Sequence, residues 1–271
     1  MSRRIGRDAT GAGGPARRPV AFDSVGVDGD DATRTAQGEV WCIVVAGGSG
    51  RRFGAAKQFE ALGDSSVLQH AVSTASTAAD GVVVVLPGDV VDQAGATISA
   101  DAVVPGGDTR AGSVRAGLGA VPPTAQVVMV HDAARPLASS ELFERVRDAV
   151  RAGAEAVVPV VAVSDTIRRV GGGVVDRDEL RAVQTPQGFR AEVLRRVHDQ
   201  GGEATDDAGL VEAAGGTVVL VDGERTNLKI TEPDDLAIAA ALLGRSGSSL
   251  ASSRPGSSLA SSRRGGGDSP A

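Results

Sequence analysis

Valine-rich runs recur along the chain and alternate with segments of helical periodicity, and this alternation restricts the fold more than any other feature. The apolar runs occupy 40–46, 81–87, 101–105, 126–132 and 155–163, and the helical segments occupy 66–79, 109–121 and 139–153. A strand that is apolar along its whole length is buried on both faces, as in a parallel sheet covered by helices. The sequence therefore predicts an α/β fold with a mostly parallel sheet.

The alternation breaks in the segment 164–189. Two short extended pieces there flank the glycines 171–173, a pattern typical of a β-hairpin. We predict that about 164–186 forms a β-arm that protrudes from the sheet. After it, helical patterns at 190–200 and 206–214, a strand at 217–223 and a helix at 233–243 complete the domain.

The two ends of the chain differ in composition from the part between them. Residues 1–37 are rich in Gly, Arg, Asp and Thr without helical or strand periodicity, which predicts a disordered leader. Residues 245–271 contain "SSLASSRPG" followed by "SSLASSRRG", and such a Ser-, Gly- and Arg-rich repeat cannot bury a core. We therefore expect one folded domain at 38–244 and a low-complexity, disordered tail.

Charge and residue usage argue against several classes of protein. A formal net charge of -6 argues against a general binder of nucleic acid or of membrane surfaces. The single cysteine, Cys42, rules out an internal disulfide, and the three histidines lack the close spacing of a zinc site. No apolar run approaches the roughly 18 residues of a membrane helix, and the N-terminus lacks the apolar segment of a secretory signal. We expect a cytoplasmic protein.

A glycine-rich turn follows the first valine-rich run, in the stretch "AGGSGRRFGAAKQF" at 46–59. It matches neither G-x-x-x-x-G-K-[ST] nor G-x-G-x-x-G, because Gln58 follows the lysine and Phe53 takes the third glycine position. Glycines nonetheless let backbone N–H groups approach an anion. With three cations close by, the turn is typical of a triphosphate site, although a plain strand-to-helix turn with solvated cations has the same composition.

Lysine is rare in this chain, because Lys57 and Lys229 are the only two lysines among 28 basic residues. Lysine carries a compact point charge on a flexible stem, whereas arginine carries a planar fork. A position that keeps lysine in an arginine-rich chain therefore suits a site beside a reacting phosphorus. Lys229 lies near the end of the domain, where the chain could return to the same pocket.

Two further polar clusters follow predicted strands. Asp132 ends the central strand at 126–132, and open α/β sheets bind ligands at this carboxyl edge. Its carboxylate could hold Mg²⁺ or a substrate hydroxyl, and Arg135 a phosphate, although an acid here also suits a turn or helix cap. Gly-Gly-Asp at 106–108 precedes a helix N-terminus, which indicates either an anion site or a plain capped turn. We interpret His131 as structural.

Eight stretches resemble one known family, 2-C-methyl-D-erythritol 4-phosphate cytidylyltransferase, in the family's own order over about 40–242. They read "AGGSGRRF" with "KQF", "GGDTRAGSV", "VHDAARP", "SDTIRR", "VDRDEL", "QTPQGF", "ATDDAGLVEAAG" and "NLKITEPDDLAIA". The resemblance implies a Rossmann-like nucleotidyltransferase fold of the GT-A type, with a protruding β-arm that joins two subunits as a homodimer. It also implies CTP as a substrate, Mg²⁺ as cofactor, and transfer of CMP to methylerythritol phosphate, releasing pyrophosphate, in non-mevalonate isoprenoid biosynthesis.

The resemblance also implies roles for individual residues. The residues that match catalytic positions are Arg52, Lys57, Arg177 and Lys229. Those that match CTP-binding positions are Ala46, Gly47, Gly48, Gly50, Gly107, Asp108 and Ser113. Those that match contacts to the sugar phosphate are Asp132, Arg135, Thr166, Thr185 and Thr205, with Asp132 also a metal ligand. Thr166 and Arg177 would act in the site of a second subunit.

Other functions are compatible with parts of this pattern. A cytidylyltransferase for another polyol phosphate, such as ribitol 5-phosphate, would share the CTP half, as would a sugar-1-phosphate nucleotidyltransferase with another base. A non-catalytic nucleotide-binding protein would have no need of Arg52, Lys57, Asp132 and Lys229 together. One departure from the family is the link between Arg52 and Lys57, which is shorter here than in most members.

Overall fold

The computed structural model describes residues 38–47, 57–94 and 97–251. The predicted leader at 1–37 and the part of the predicted tail from 252 onward lie outside these residues. In chain order the strands are β1 (Glu39–Val45), β2 (Ala61–Leu62), β3 (Ser65–Ser66), β4 (Gly81–Leu86), β5 (Ala102–Pro105), β6 (Ala125–Asp132), β7 (Ala156–Ala162), β8 (Ile167–Arg168), β9 (Val174–Val175), β10 (Arg181–Val183), β11 (Gln187–Arg190) and β12 (Val218–Asp222).

The central sheet has eight strands, and most of them run in one direction. Its order is β5–β4–β1–β6–β11–β7, and β7 also pairs with β10 and β12. The pairs β1/β4, β1/β6, β4/β5 and β7/β12 are parallel. Only β10 and β11 run against the others, since β11 is antiparallel to both β6 and β7. This arrangement confirms the predicted α/β class and its mostly parallel sheet.

Helices cover both faces of this sheet. They are α1 (Val67–Ala78), α2 (Val91–Ala94), α3 (Arg110–Ala120), α4 (Ser140–Arg151), α5 (Ala191–Asp199), α6 (Asp207–Ala213) and α7 (Pro233–Ala251). Successive residues of β1 enter opposite halves of the core, because Cys42 packs in the cluster that holds Phe143 of α4, and Ile43 packs in the cluster that holds Leu194 of α5. The continuous apolar runs are thus explained by burial on both faces.

Side-chain caps explain where four of the helices begin. Ser66, Thr109, Ser139 and Asp206 each accept a hydrogen bond from the backbone N–H three residues later, at α1, α3, α4 and α6 respectively. Such a cap satisfies one of the N–H groups that have no partner within the helix. The helix starts predicted at 66, 109, 139 and 206 therefore agree with the structure to within one residue.

The predicted hairpin is present, but it is shorter than the predicted arm. β8 and β9 pair only with each other, and the chain turns between them at Gly171, whose φ of 75° favours glycine. Arg181–Val183, in contrast, belongs to the central sheet as β10, and 184–186 is buried. We therefore use "the arm" for 164–180. Within the arm, residues 164–173 and 176–179 are exposed, apart from Ile167.

Strand β11 lies in the middle of the sheet and was not predicted. Its four residues, Gln187–Arg190, include a glycine and two polar side chains, so they carry no strand pattern. A Cβ on Gly188 would lie 2.6 Å from Cγ1 of Val146 on α4, so glycine is required for this close approach. The last helix, α7, starts at Pro233 as predicted but continues to Ala251, past the predicted domain end at 244.

Candidate active site

Three loops meet at the carboxyl edge of the parallel strands. The N–H of Ala46, just after β1, donates to the carbonyl of Val85 at 2.8 Å. The N–H of Gly106, after β5, donates to the carbonyl of Leu86 at 2.7 Å, and the N–H of Ala133, after β6, donates to the carbonyl of Val45 at 3.0 Å. The chain segments that carry the predicted site are therefore side by side.

Ser113 connects the segments predicted to bind CTP. Its buried hydroxyl donates to the carbonyls of Thr109, at 3.0 Å, and Gly107, at 3.3 Å. A Cβ on Gly47 would lie only 3.3 Å from the Ser113 Oγ, so the loops after β1 and β5 touch through this serine. Asp108 is exposed beside them.

The structure thus brings together five of the residues predicted to bind CTP: Ala46, Gly47, Gly107, Asp108 and Ser113. Gly48 and Gly50, with the catalytic candidate Arg52, lie outside the described residues. Glycine at 107 has a local steric reason, because a Cβ there would lie 2.9 Å from the backbone of Gly112. The start of α3 is therefore packed tightly against the loop that precedes it.

An ion pair joins two of the predicted site residues. The Nζ of Lys229 lies 2.6 Å from Oδ2 of Asp132, and the Nε of Arg110 lies 3.9 Å from its Oδ1. Burial alone would raise the pKa of the Asp132 carboxyl, but Lys229 and Arg110, with a smaller contribution from Arg135, outweigh it and hold that pKa below its usual value. Asp132 is therefore a carboxylate at neutral pH, placed between two cations.

Lys57 reaches the same place from the other end of the domain. Its Nζ donates to the carbonyl of Ile230 at 2.7 Å, and the N–H of Ile230 donates to the carbonyl of Ala134 at 2.8 Å. Ile230 is the neighbour of Lys229 in the chain. The Lys57 ammonium therefore contacts the segment that carries Lys229, as a shared pocket would require.

Buried hydrogen bonds hold the segment that carries Lys229. Asn227, fully buried, donates from Nδ2 to the carbonyl of Thr185 at 2.9 Å. Arg135 donates to the carbonyls of Asn227, at 2.8 Å, and Val183, at 3.1 Å. The guanidinium of Arg135, predicted to contact the sugar phosphate, is thus engaged with two backbone carbonyls, and it ties the 227–229 segment to the end of β10.

A chain of hydrogen bonds lies beneath Asp132. The carbonyl of Arg135 can only accept, so Nε2 of His131 donates to it at 3.2 Å, which leaves Nδ1 as the acceptor from the Thr185 hydroxyl at 3.1 Å. The Thr185 Oγ1 in turn accepts the N–H of Asp132 at 3.0 Å. Burial lowers the pKa of His131 to about 4, so the ring is neutral as this arrangement requires.

Thr185 therefore has a role that the sequence did not indicate. It was predicted to contact substrate, and the structure places it 5% exposed with its hydroxyl both donating to His131 and accepting from Asp132. We call Asp132, His131, Thr185, Asn227 and Lys229 the edge cluster. The interpretation of His131 as structural agrees with its place in this cluster.

The remaining predicted contacts are exposed. Thr166 and Arg177 lie in the arm, and an Arg177 NH1 group donates to the carbonyl of Ser164 at 2.5 Å, within the same segment. Thr205 is exposed directly before the N-cap of α6. Within the described residues, neither arm side chain makes a hydrogen bond to the edge cluster.

Arg110 is a member of the site that sequence reasoning passed over. It stands inside the quoted stretch "GGDTRAGSV", where only glycines, Asp108 and Ser113 were selected. A signal was present, because Arg110 is the first residue of α3, and a cation is disfavoured at the positive end of a helix. An arginine kept at such a position indicates a partner elsewhere in the fold.

The described residues contain no group of three or more His, Cys, Asp or Glu side chains that could hold a metal ion. Asp132 offers a carboxylate oxygen at the edge: among the described residues its Oδ1 accepts no hydrogen bond, and the Nε of Arg110 lies 3.9 Å from it. In the part of the chain that the structure describes, no helix has the length and apolar character to cross a membrane.

Comparison with known proteins connects this edge to one enzyme family. A family model described as 2-C-methyl-D-erythritol 4-phosphate cytidylyltransferase matches residues 40–245. The chain belongs to this family. The match spans β1 to α7 and includes every described site residue named above.

Curated members of the family are similar over most of their length. The cytidylyltransferase of Rhodococcus opacus (strain B4) is 47% identical over 218 residues, which are 76% of this chain and 96% of the relative. That of Streptomyces coelicolor (strain ATCC BAA-471 / A3(2) / M145) is 43% identical over 227 residues, covering 75% of this chain and 84% of the relative.

A solved structure of the family supports the fold. The crystal structure of 2-C-methyl-D-erythritol 4-phosphate cytidylyltransferase from Thermus thermophilus aligns with a TM-score of 0.65 at 37% identity. The alignment covers 74% of this chain and 98% of that one. The predictions of family and fold class are thus confirmed.

Proposed function

We propose that this protein transfers CMP from CTP to 2-C-methyl-D-erythritol 4-phosphate and releases pyrophosphate, as a step of isoprenoid biosynthesis. One observation carries the proposal: the only two lysines of the chain involve neighbouring residues, because the Lys57 Nζ donates to the carbonyl of Ile230 while the Nζ of Lys229 pairs with the Asp132 carboxylate. Membership in the cytidylyltransferase family supplies the reaction type. Both named relatives are methylerythritol phosphate enzymes, which favours this substrate over ribitol 5-phosphate or a sugar 1-phosphate.

The chemistry suits an edge rich in cations. The attacking group is already an anionic phosphate oxygen, so the reaction needs no strong base. The barrier comes from repulsion between two polyanions and from charge that builds on the leaving pyrophosphate, and fixed cations lower both. In this proposal Lys57, with Arg52, faces the triphosphate, and Lys229 orients the attacking phosphate.

Asp132 keeps Lys229 in place before any phosphate arrives. The 2.6 Å ion pair restricts a flexible side chain that is still 44% exposed and therefore accessible to a ligand. An incoming phosphate would find the ammonium near its working position, which reduces the entropy lost on binding. We infer that the pair preorganises the substrate half of the site.

The CTP half would be formed by the loops that meet at Ser113. The start of α3 is close to Asp132, since the Nε of Arg110 lies 3.9 Å from its Oδ1, and Ser113 of the same helix donates to the carbonyl of Gly107. The glycines at 47 and 107 let these loops pack closely, because a Cβ would lie 3.3 Å from the Ser113 Oγ at 47 and 2.9 Å from the backbone of Gly112 at 107. Asp108 would contact the nucleoside directly. Ser113 would act on the nucleoside indirectly, by fixing the loop that contacts it.

Mg²⁺ fits the residues present, in a limited way. Magnesium is often held by one or two carboxylates together with substrate phosphates, so one carboxylate is sufficient on the protein side. Asp132 could supply it through Oδ1, because the Nε of Arg110, 3.9 Å away, lies beyond hydrogen-bond distance. The ion would neutralise charge on the triphosphate, and we propose Asp132 as its ligand.

The proposal includes a homodimer joined through the arm. Thr166 and Arg177 are exposed, and so are the arm valines Val170 and Val174, at 107% and 60%. Exposed apolar side chains on a hairpin suit burial against a second copy. Each arm would then carry Thr166 and Arg177 to the site of the other subunit. We expect the enzyme to act in the cytoplasm.

A pyrophosphate-release assay tests the function directly. The full chain is incubated with Mg²⁺ and each of CTP, ATP, GTP and UTP, crossed with methylerythritol phosphate and ribitol 5-phosphate. We expect the highest rate by far with CTP and methylerythritol phosphate. A higher rate with ribitol 5-phosphate or with another nucleotide would overturn the specificity, and no release from any pair would overturn the function.

A further inference from the structure

The position of Arg110 is unfavourable by local rules. It is the first residue of α3, directly after the N-cap Thr109. The N-terminus of a helix carries a partial positive charge, which repels a cation in the first turn. A side chain that remains there must gain more from contacts outside the helix than it loses to the helix dipole.

The first such contact is with Asp207, which starts α6. An Arg110 NH1 group lies 2.6 Å from Asp207 Oδ2, and the Asp207 side chain is 1% exposed. The other oxygen of Asp207 lies 3.0 Å from Nε2 of His198, which is equally buried. With both oxygens engaged and no access to solvent, Asp207 is a rigid anchor for the guanidinium.

The second contact is with the edge cluster. The Nε of Arg110 lies 3.9 Å from Oδ1 of Asp132, whose other oxygen pairs with Lys229 at 2.6 Å. The carboxylate thus has a cation on each side. Arg110 keeps 27% of its side chain exposed, so part of it remains accessible to solvent.

We propose that Arg110 is a positioning residue of the nucleotidyl transfer reaction. Asp207 anchors the Arg110 side chain, and Arg110 in turn holds the Asp132 carboxylate from the side opposite Lys229. The proposal rests on the proposed function, since it concerns how that site is ordered. Arg110 also follows Asp108 by two residues, so it connects the loop predicted to bind cytidine with the acid of the substrate half.

Arginine is required at 110 for a geometric reason. Its planar fork directs NH1 towards one carboxylate and Nε towards another. A lysine has a single ammonium and cannot face both acids at once. Arg110→Lys therefore keeps the charge and removes the bridge, which makes it a sharper test than removal of the side chain.

The test is a double-mutant cycle on kcat/KM. Wild type is compared with Arg110→Lys, Asp132→Asn and the double variant, with CTP and methylerythritol phosphate as substrates. Single-turnover conditions with enzyme in excess keep slow variants measurable. We expect Arg110→Lys alone to lower kcat/KM about tenfold and to change it less than about twofold in the Asp132→Asn background. If the double variant showed the full product of the two single-variant losses in kcat/KM, the proposal would be overturned.

A second cycle does not depend on the residual activity of an Asp132 variant. Asp207→Asn leaves Arg110 in place but weakens its anchor, so it should also lower kcat/KM. The kcat/KM of the double variant Arg110→Lys/Asp207→Asn should be little lower than that of either single variant. Wild-type kcat/KM in Asp207→Asn would contradict the anchoring role. A purely structural bridge between α3 and α6 would lower the unfolding temperature without changing kcat/KM.

Arg147→Lys provides the matched control. Arg147 is a partly buried arginine in a 2.7 Å ion pair with Asp148 inside α4, without a hydrogen bond or ion pair to any of the described site residues. We expect it to leave kcat/KM unchanged. An inactive wild type would overturn the proposed function, whereas an active wild type with fully active Arg110→Lys would overturn only the inference about Arg110.

Discussion

The edge cluster and the arm differ in how their predicted site residues are supported. In the edge cluster, Asp132 and Lys229 are paired, and buried hydrogen bonds from His131, Thr185 and Asn227 fix the backbone that carries them. In the arm, Thr166 and Arg177 are exposed, and Arg177 bonds only within its own segment among the described residues.

This difference is consistent with the proposed homodimer, in which one chain would complete only part of the site. Buried, satisfied polar networks hold a single geometry, because each broken bond would leave a desolvated group without a partner. An exposed side chain on a hairpin has no such restraint. The edge cluster is therefore expected to be preorganised in one subunit, and the arm residues to gain their geometry from a second subunit.

The largest expected effect is on the edge-cluster side and concerns Lys57. Lys57→Ala removes the ammonium that lies beside the Lys229 segment, and we expect kcat to fall by about 10²-fold or more, as for loss of one preorganised donor. Lys57→Arg keeps the charge on a bulkier head group, so its kcat should lie between those of wild type and Lys57→Ala. Steady-state pyrophosphate release measures both, and near-wild-type turnover in Lys57→Ala would rule out this role.

A smaller effect concerns the stability of the edge cluster as pH falls. His131 has a pKa of about 4 in the folded protein, below its ordinary value of 6.5, so the unfolded chain binds more protons between these two values. Its contribution is complete above about pH 6.5 and is lost as the pH falls towards 4. Between pH 7 and 4 the wild type should lose about 3 kcal/mol more unfolding free energy than His131→Gln.

Urea unfolding of both proteins at pH 7 and pH 4 measures this difference. The comparison of pH dependence cancels the cost of the substitution itself, which is present at both pH values. Equal pH dependence in the two proteins would mean that His131 is not the buried neutral donor and acceptor described here.

The smallest expected effect is on the stability of the arm side. Arg177→Ala removes an exposed side chain, so the free energy of unfolding should stay within about 0.5 kcal/mol of wild type. Its kcat should nevertheless fall at least about tenfold, if Arg177 is a cation of the neighbouring site. A large loss of stability would show that the arm, like the edge cluster, is fixed within one chain.

The sequence was sufficient for the layered fold because its strands are long and apolar throughout. Val82–Leu86 and Val127–Val130 are buried without exception, and such runs admit few other structures. Strand β11 could not be predicted in the same way, since only its tertiary partners make Gln187–Arg190 extended. The end of α7 was missed because the Ser- and Gly-rich composition after 244 argued against a helix.

The candidate site follows from the sequence only in part. Asp132, Lys57 and Lys229 are candidates because their residue type or place in the chain is unusual. The contacts of Arg110 and of the Thr185 hydroxyl could not be predicted, because their partners are distant in sequence. A stretch of sequence shows which groups lie near a site, but not which of them face the ligand.

The most direct measurement of the central claim is subunit mixing of Lys57→Ala with Arg177→Ala. If each site combines the edge cluster of one chain with the arm of another, a mixed dimer has one intact site and one doubly altered site. Random exchange should therefore restore about a quarter of wild-type activity from two nearly inactive proteins. No recovery, with exchange verified by native mass spectrometry, would contradict a site shared between two chains.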